Sequence, residues 1–544
     1  MPLKNAPVQI PEKKVTYKIS KNITYVYYTI RAYRNAAGKP TSDEVLIGKK
    51  EPDTGMLIPN RRYFELFESD AAIDKKETFK IPSKVVSYGN VYSLSEIAKL
   101  LKLQEILERC FPSKWHQILS VACYMLCEGN VMMHIDDWFD ETEISFCDRL
   151  DDQQCSRLFA GISYDERMCF FKEWVKLFTE QEYIAYDITS ISTYSKGIDI
   201  AEWGYNRDGE QLPQINLGFF YGAQSSLPIY YDMYSGSIND KSHLPFMLAG
   251  AKKLGISNVR FVIDRGFSSE DNLTLMKNKG YLFVTAMPGH WVEAKKIIDQ
   301  CKNVIRKIAN RLSAFDVYVQ SFDIELYGFK MKAHVYYDPE KVALDEKEFY
   351  SHIEKLTEDL KKINKSGGVT KKYTDIFKVE GEKTSKFSFE LDNEKIDERL
   401  SRAGFFILLS NDLNLNSHDT LTIYRGKDVI EKNFDQLKNS LDFKRLRTHV
   451  NKTTEGKVFV GFIALILRSH LLRKIKENVQ IKNLTLDKAL RELRKIKSVI
   501  FEDSSRMLLP VTKTQRTILD AVDLSEKKLQ ESFKNLYTIK TCGV

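Results

Sequence analysis

The chain is poor in the features that mark several common protein classes. Its eight cysteines (Cys110, Cys123, Cys127, Cys147, Cys155, Cys169, Cys301 and Cys542) show no tight paired spacing. A finger-like zinc site, which needs four closely spaced ligands, is therefore not expected. The nearest approach is Cys123-x3-Cys127 with His134, but Leu119, Cys123, Leu126 and Cys127 fall on one helical face and read as core. This cysteine pattern suits a reducing cytoplasm. No apolar run reaches the length of about 18 residues needed to span a bilayer, and no long apolar core follows a basic head at the N-terminus. Neither membrane insertion nor export is expected. The chain also lacks a G-x-x-x-x-G-K-[ST] phosphate loop, a G-x-G-x-x-G turn, an H-E-x-x-H helix and any internal repeat.

What is present is ample material for packed cores. Hydrophobic residues make up 43% and aromatics 12% of 544 residues, which excludes a disordered chain and implies more than one domain. The net charge of +8 is unevenly distributed: residues 1–62 and residues 421–475 each carry +7, leaving −6 for everything else. Two concentrated basic segments suit two places that touch an anionic polymer.

The pattern along the chain is α/β. Residues 1–92 read as a basic β unit and linker. In that unit Tyr25–Tyr33 and Glu44–Gly48 form strands around an Asn35–Pro40 turn. Lys18, Arg31, Arg34 and Lys39 interleave with Tyr25, Tyr27, Tyr28 and Tyr33, which fits either a DNA-contacting ribbon or a strand pair with one wet face. Residues 93–180 read as a helical module, opened by a Ser93/Glu96 capping box. Residues 181–288 alternate strand, hairpin, helix, strand, helix, strand. Residues 289–416 hold strand-like runs and a charged helix from Leu344 to Ile363. Trp291, Tyr327 and Phe329 stand there either as core or as bases' stacking partners. Val458 to Leu472 reads as a buried helix, and residues 476–544 as further amphipathic helices.

Two acids stand at strand positions where a carboxylate is costly unless it is paired or bound to metal. They are Asp187 in Tyr183-Ile184-Ala185-Tyr186-Asp187 and Asp264 in Arg260-Phe261-Val262-Ile263-Asp264-Arg265-Gly266-Phe267. A third, Glu431, lies on a predicted helix. There Ile430, Phe434, Leu437 and Leu441 form an apolar face, and Tyr424, Lys427, Glu431 and Lys438 form a neighbouring stripe. Lys444, Arg445, Arg447, His449 and Lys452 follow as a basic loop suited to a phosphate backbone.

Together, Asp187, Asp264 and Glu431, with Tyr424-x2-Lys427-x3-Glu431-x6-Lys438, resemble the DDE triad and YREK motif of bacterial insertion-sequence transposases. The family pattern is Y-x2-R-x3-E-x6-K, so Lys427 replaces an Arg and loses its bidentate fork, with Arg425 as neighbour. Asp264-Arg265-Gly266-Phe267 resembles the second-Asp block of that family. Ile215–Phe219, Leu227–Tyr230 and Ser235–Asp240 resemble the stretch between the first two Asp blocks. The resemblance implies an RNase H-like mixed-sheet catalytic domain (181–288 and 417–475) interrupted by a β-rich, DNA-clamping insertion (289–416). The helical module would bind transposon ends or dimerise. The resemblance also implies two Mg2+ or Mn2+ ions per active site held by Asp187, Asp264 and Glu431. Tyr424, Arg425, Lys427, Lys438, Lys444, Arg445 and Arg447 would contact DNA. The implied partners are double-stranded DNA, as terminal inverted repeats and target, and a second copy of the chain, acting at the bacterial nucleoid. The implied activity is cut-and-paste transposition through a DNA hairpin. Rival readings are an RNase H-like endonuclease without strand transfer and a catalytically silent DNA-binding descendant.

Overall fold

A run of ten residues, Tyr183–Ser192 (β6), sets the architecture, because all but one of its side chains are buried. A strand buried on both faces must lie inside a sheet that is covered on both sides. The computed structural model describes residues 7–21, 23–35, 38–67, 81–178, 182–206, 208–256, 260–363, 371–380, 387–427 and 436–538. Contacts divide the chain into two compact units. One is residues 1–84 with 500–505, and the other is residues 85–499 with 506–544.

In the first unit, Val15–Ser20 (β1), Ile23–Arg34 (β2), Pro40–Lys50 (β3) and Leu57–Pro59 (β4) form an antiparallel sheet in chain order. Val26, Ile47 and Leu57 are fully buried, while Tyr17, Tyr33 and the Arg31 side chain face solvent. The sheet therefore has one packed side and one wet side. Lys18 pairs with Glu44 at 2.9 Å and lies 4.3 Å from the Tyr27 ring centroid. A helix, Arg61–Phe67, follows.

Pro82–Ser87 (β5) spans the boundary, and the second unit continues with helices Gly89–Leu100, Leu103–Cys110, Trp115–Glu128, Ile135–Glu141, Asp152–Gly161 and Tyr164–Val175. The first helix begins four residues before Ser93, which corrects the expected capping box. The Ser93 hydroxyl donates to the Gly89 carbonyl inside the helix at 2.7 Å, an S-x-x-E spacing that the helical repeat produces on its own. Cys110 and Cys169, 59 residues apart, form a disulfide with Cα atoms 5.7 Å apart. Cys123, Cys127 and Cys155 stay unlinked in this helical layer.

The large sheet starts with a meander of β6, Gln214–Gly222 (β7) and Pro228–Ser235 (β8). Helix Asp240–Lys253 crosses back to Arg260–Ile263 (β9), which pairs parallel to β6. Helix Glu270–Asn278 then leads to Leu282–Ala286 (β10), parallel to β9. Parallel neighbours need such crossovers. The sheet continues through residues 289–416: Arg311–Leu312 (β11), Val317–Leu326 (β12), Phe329–Tyr337 (β13) and Phe405–Ser410. The full order, with that last strand adjoining β10, is β11-β12-β13-(405–410)-β10-β9-β6-β7-β8. Helix Pro339–Ile363 builds a separate small core from Phe349, Ile353, Leu356 and Leu360 with Tyr373, Phe377 and Ile396.

Helix Asn451–Glu477 is buried on most sides and joins sheet to helical layer. Its Phe462 meets Tyr231 of the sheet at 5.2 Å between centroids, and its Phe459 meets Phe170 of the helical layer at 5.3 Å. Gly456 lets it pass the backbone of Phe159, whose carbonyl an added Cβ would overlap. Among the described residues, no single helix is long and apolar enough to cross a membrane.

Candidate active site

The one side chain of β6 that is not fully buried is Asp187. It lies opposite Phe219 on β7, and its carboxylate accepts from the Ile188 amide at 2.8 Å. On the other side, Tyr186 is level with Ile263 of β9. Asp187 and Asp264 are each the next residue in the chain after this last pair. Neighbouring strands lie about 4.8 Å apart, and both acids act on the same ammonium, that of Lys427. β9 stops at Ile263, and Asp264 caps the short turn Arg265–Phe267, so its carboxylate emerges where the sheet opens.

Helix Ser417–Gly426 brings the next groups. Tyr424 and Lys427 were expected at the start of a helix; Tyr424 instead lies in the last turn of this one, and Lys427 caps its end. Lys427 Nζ donates to Asp264 Oδ1 at 2.9 Å, and the Tyr424 hydroxyl donates to the same oxygen at 3.4 Å. Burial pushes the Asp264 carboxyl upward, but the Lys427 ammonium outweighs it and holds the group below the usual carboxylate range. Burial likewise opposes charge on Lys427, and Tyr424, Asp264 and Asp187 more than restore it. Burial pushes the Tyr424 phenol up to about 12, so it stays a neutral donor. Lys427 thus ties the two acids together electrostatically. Arg425 points elsewhere, exposed, with its guanidinium 5.1 Å from the Phe315 ring.

Glu431, with Ile430 and Phe434, lies outside the described residues. Leu437 and Leu441 are buried. Lys438 is nearly buried and its Nζ meets Asp208 at 2.7 Å. Arg445 pairs with Glu210, and Arg447 with Asp442 at 2.7 Å. Lys444 is exposed. Two cations of the expected basic loop, Arg445 and Arg447, are therefore matched by acids of their own chain. Trp291 and Tyr327 are half-buried, packing edge to face at 5.9 Å against the core, and Phe329 is buried there.

The two carboxylates are hard oxygen donors of the kind Mg2+ or Mn2+ takes. Among the described residues they have no third metal-ligating neighbour.

The family model described as the transposase DDE domain matches residues 179–467, more than half of the chain. The chain belongs to the DDE transposase family. The match takes in β6, both aspartates, Tyr424, Lys427 and Lys438 in one span. No curated protein matches the chain. Among solved structures it is similar to the cryo-EM structure of the piggyBac transposase synaptic complex with hairpin DNA. The TM-score is 0.34 and the identity 10%, over 76% of this chain and 84% of that one.

What the sequence did not signal in this transposase is the loop between β6 and β7. It supplies Asp208 and Glu210 to Lys438 and Arg445, partners 230 and 235 residues away. The only sequence signal was its length, more than a hairpin needs.

Proposed function

We propose that the chain is a metal-dependent DNA transposase that cuts at the ends of its element and transfers the freed 3′-hydroxyl ends to target DNA. One observation supports the reading most: Asp187 is the sole break in the burial of β6, and Asp264 directly follows the parallel neighbour β9. The order β8-β7-β6-β9-β10, with only β6, β9 and β10 mutually parallel, supports an RNase H-like catalytic sheet. Asp187, Asp264 and Glu431 would hold the divalent ions, two per active site, which when bound activate the attacking oxygen and stabilise the leaving one.

The chain's own residues do the rest. Lys427 keeps Asp264 ionised and ready to bind a cation, and Tyr424 orients the same carboxylate. Lys438 and Arg445 hold phosphates by exchanging Asp208 and Glu210 for them. Lys427 stands where the family has Arg and is engaged by Asp264, so the exposed Arg425 is a candidate to grip a hairpin strand. The inverted-repeat ends, a homodimer on DNA and a site of action at the nucleoid belong to the same proposal.

Strand transfer tests it. A pre-cut element end with a free 3′-hydroxyl, incubated with plasmid and Mg2+, is expected to give joined products. Cutting of uncut ends without joining would instead identify an endonuclease, and neither would leave a silent DNA-binding protein.

A further inference from the structure

Large aromatics left in water are unfavourable, and those held there on a fixed backbone point to an unfilled contact. The β6–β7 loop holds three such residues: Tyr194, Trp203 and Tyr205, with 74%, 65% and 83% of their surface exposed. The backbone under the last two is pinned. Glu202 and Gln214 exchange both backbone hydrogen bonds, at 3.0 and 2.9 Å. The Gln214 side chain donates to the Tyr205 carbonyl at 2.9 Å, and the Asn206 side chain donates to the Ser192 hydroxyl at 3.0 Å. Gly204 lies flat against the Gly236 carbonyl, where a Cβ would not fit. The rings are thus carried on a rigid support, so ordering them on a ligand costs little.

The same loop ends in Asp208 and Glu210, which cover Lys438 and Arg445, and the Arg445 guanidinium lies 5.3 Å from the Tyr194 ring. The surface therefore offers the Tyr194 face beside Arg445, whose present partner is a carboxylate, with Trp203 and Tyr205 exposed on the same loop and the buried Lys438 held by its Asp208. An occupant must bring flat rings and anionic groups at short repeat. A strand of DNA with unstacked bases brings both: its phosphates replace the carboxylates and its bases stack on the rings.

We propose that Trp203 and Tyr205, with Tyr194, form a stacking platform for unpaired nucleobases at the processed DNA end, and that Asp208 and Glu210 guard the adjoining phosphate site until DNA displaces them. This rests on the transposase reading above.

The test uses the full chain carrying Asp187→Asn, so that DNA is bound and not cut. Its affinity is measured for a blunt duplex of element-end sequence and for the same duplex with a single-stranded extension. The parent is expected to prefer the extended duplex. Trp203→Ala with Tyr205→Ala is expected to weaken binding of the extended duplex by about ten-fold or more, leaving the blunt duplex unchanged. Equal binding of both DNAs by parent and variant would overturn the platform while leaving DNA binding in place. So would an equal loss on both DNAs. A parent that binds neither DNA would overturn the transposase reading and the platform with it. Sedimentation without DNA checks a second copy as occupant: self-association that the double variant abolishes would overturn the proposal. Asp208→Asn with Glu210→Gln is expected to tighten binding of both DNAs about threefold, by removing the competing carboxylates; no tightening would overturn the guarding role.

Discussion

Asp264 and Lys427 are the residues on which the site's electrostatics turn. Lys427 has 9% of its side chain exposed and Asp264 has 44%, with 2.9 Å between the charged atoms. Breaking a fully buried pair by removing one partner costs about 3–5 kcal/mol. Here solvent at Asp264 screens much of that, so Asp264→Asn is expected to lower unfolding stability by about 1 kcal/mol. A denaturant midpoint measured without divalent metal checks this, and an unchanged midpoint would deny that Lys427 depends on Asp264. At this scale the sequence was legible where burial and charge conflict locally. An acid inside the apolar run Tyr183–Ser192 is visible without a fold. The Lys438–Asp208 and Arg445–Glu210 pairs were not, because nothing in either segment specifies a partner more than two hundred residues distant. Nor could the sequence tell that Trp203 is exposed and Phe329 buried, since both types serve cores equally well.

At the scale of the element, helix Asn451–Glu477 carries an unusual group. Lys457 is 2% exposed in its interior. Burial, with Arg447 nearby, lowers its ammonium to about 8, against about 10.4 in an unfolded chain. Between those values the unfolded chain binds more protons, so stability must rise with pH across that window, by up to about 3 kcal/mol. Lys457→Met is expected to flatten that rise and to stabilise the protein at neutral pH; unfolding measured from pH 7 to pH 10 reads both effects. A slope that persists in the variant would assign it to another group. This helix was legible from its apolar run, but only as Val458 to Leu472. Its outer turns carry Lys, Arg and Glu, which hide a helical continuation from a hydrophobicity reading. The Ser93/Glu96 expectation failed for the same reason: a capping box is a spacing of three residues, and an amphipathic helix generates that spacing at any point along it.

At the scale of the whole molecule, the sheet and the helical layer share one buried core, which also encloses ionisable groups. His334 lies in β13 and His470 in helix Asn451–Glu477, and burial lowers both imidazoles to about 4. From about pH 6.5 down to 4 the unfolded chain takes up protons that the folded chain refuses. Stability is therefore expected to fall across that range by up to about 3 kcal/mol for each histidine. Urea midpoints between pH 7 and pH 5 check this, with His470→Leu expected to reduce the slope; an identical slope would exclude His470. The alternation of strands and helices was legible, since each parallel crossover leaves its own periodic signature. That residues 289–416 lend strands to the same sheet was not, because strand pairing across the 405–410 strand is set by register and not by local pattern.

Asp187, Asp264 and Glu431 are proposed to work as a single acid set that cuts DNA. The direct measurement is Mg2+-dependent cleavage of element-end DNA by the unaltered chain and by Asp187→Asn, Asp264→Asn and Glu431→Gln. Each variant is expected to lose cleavage by on the order of a thousandfold or more while still binding the DNA. Cleavage at near-normal rate by any one of the three would contradict the assignment of that acid, and by Asp187→Asn would contradict the proposed active site altogether.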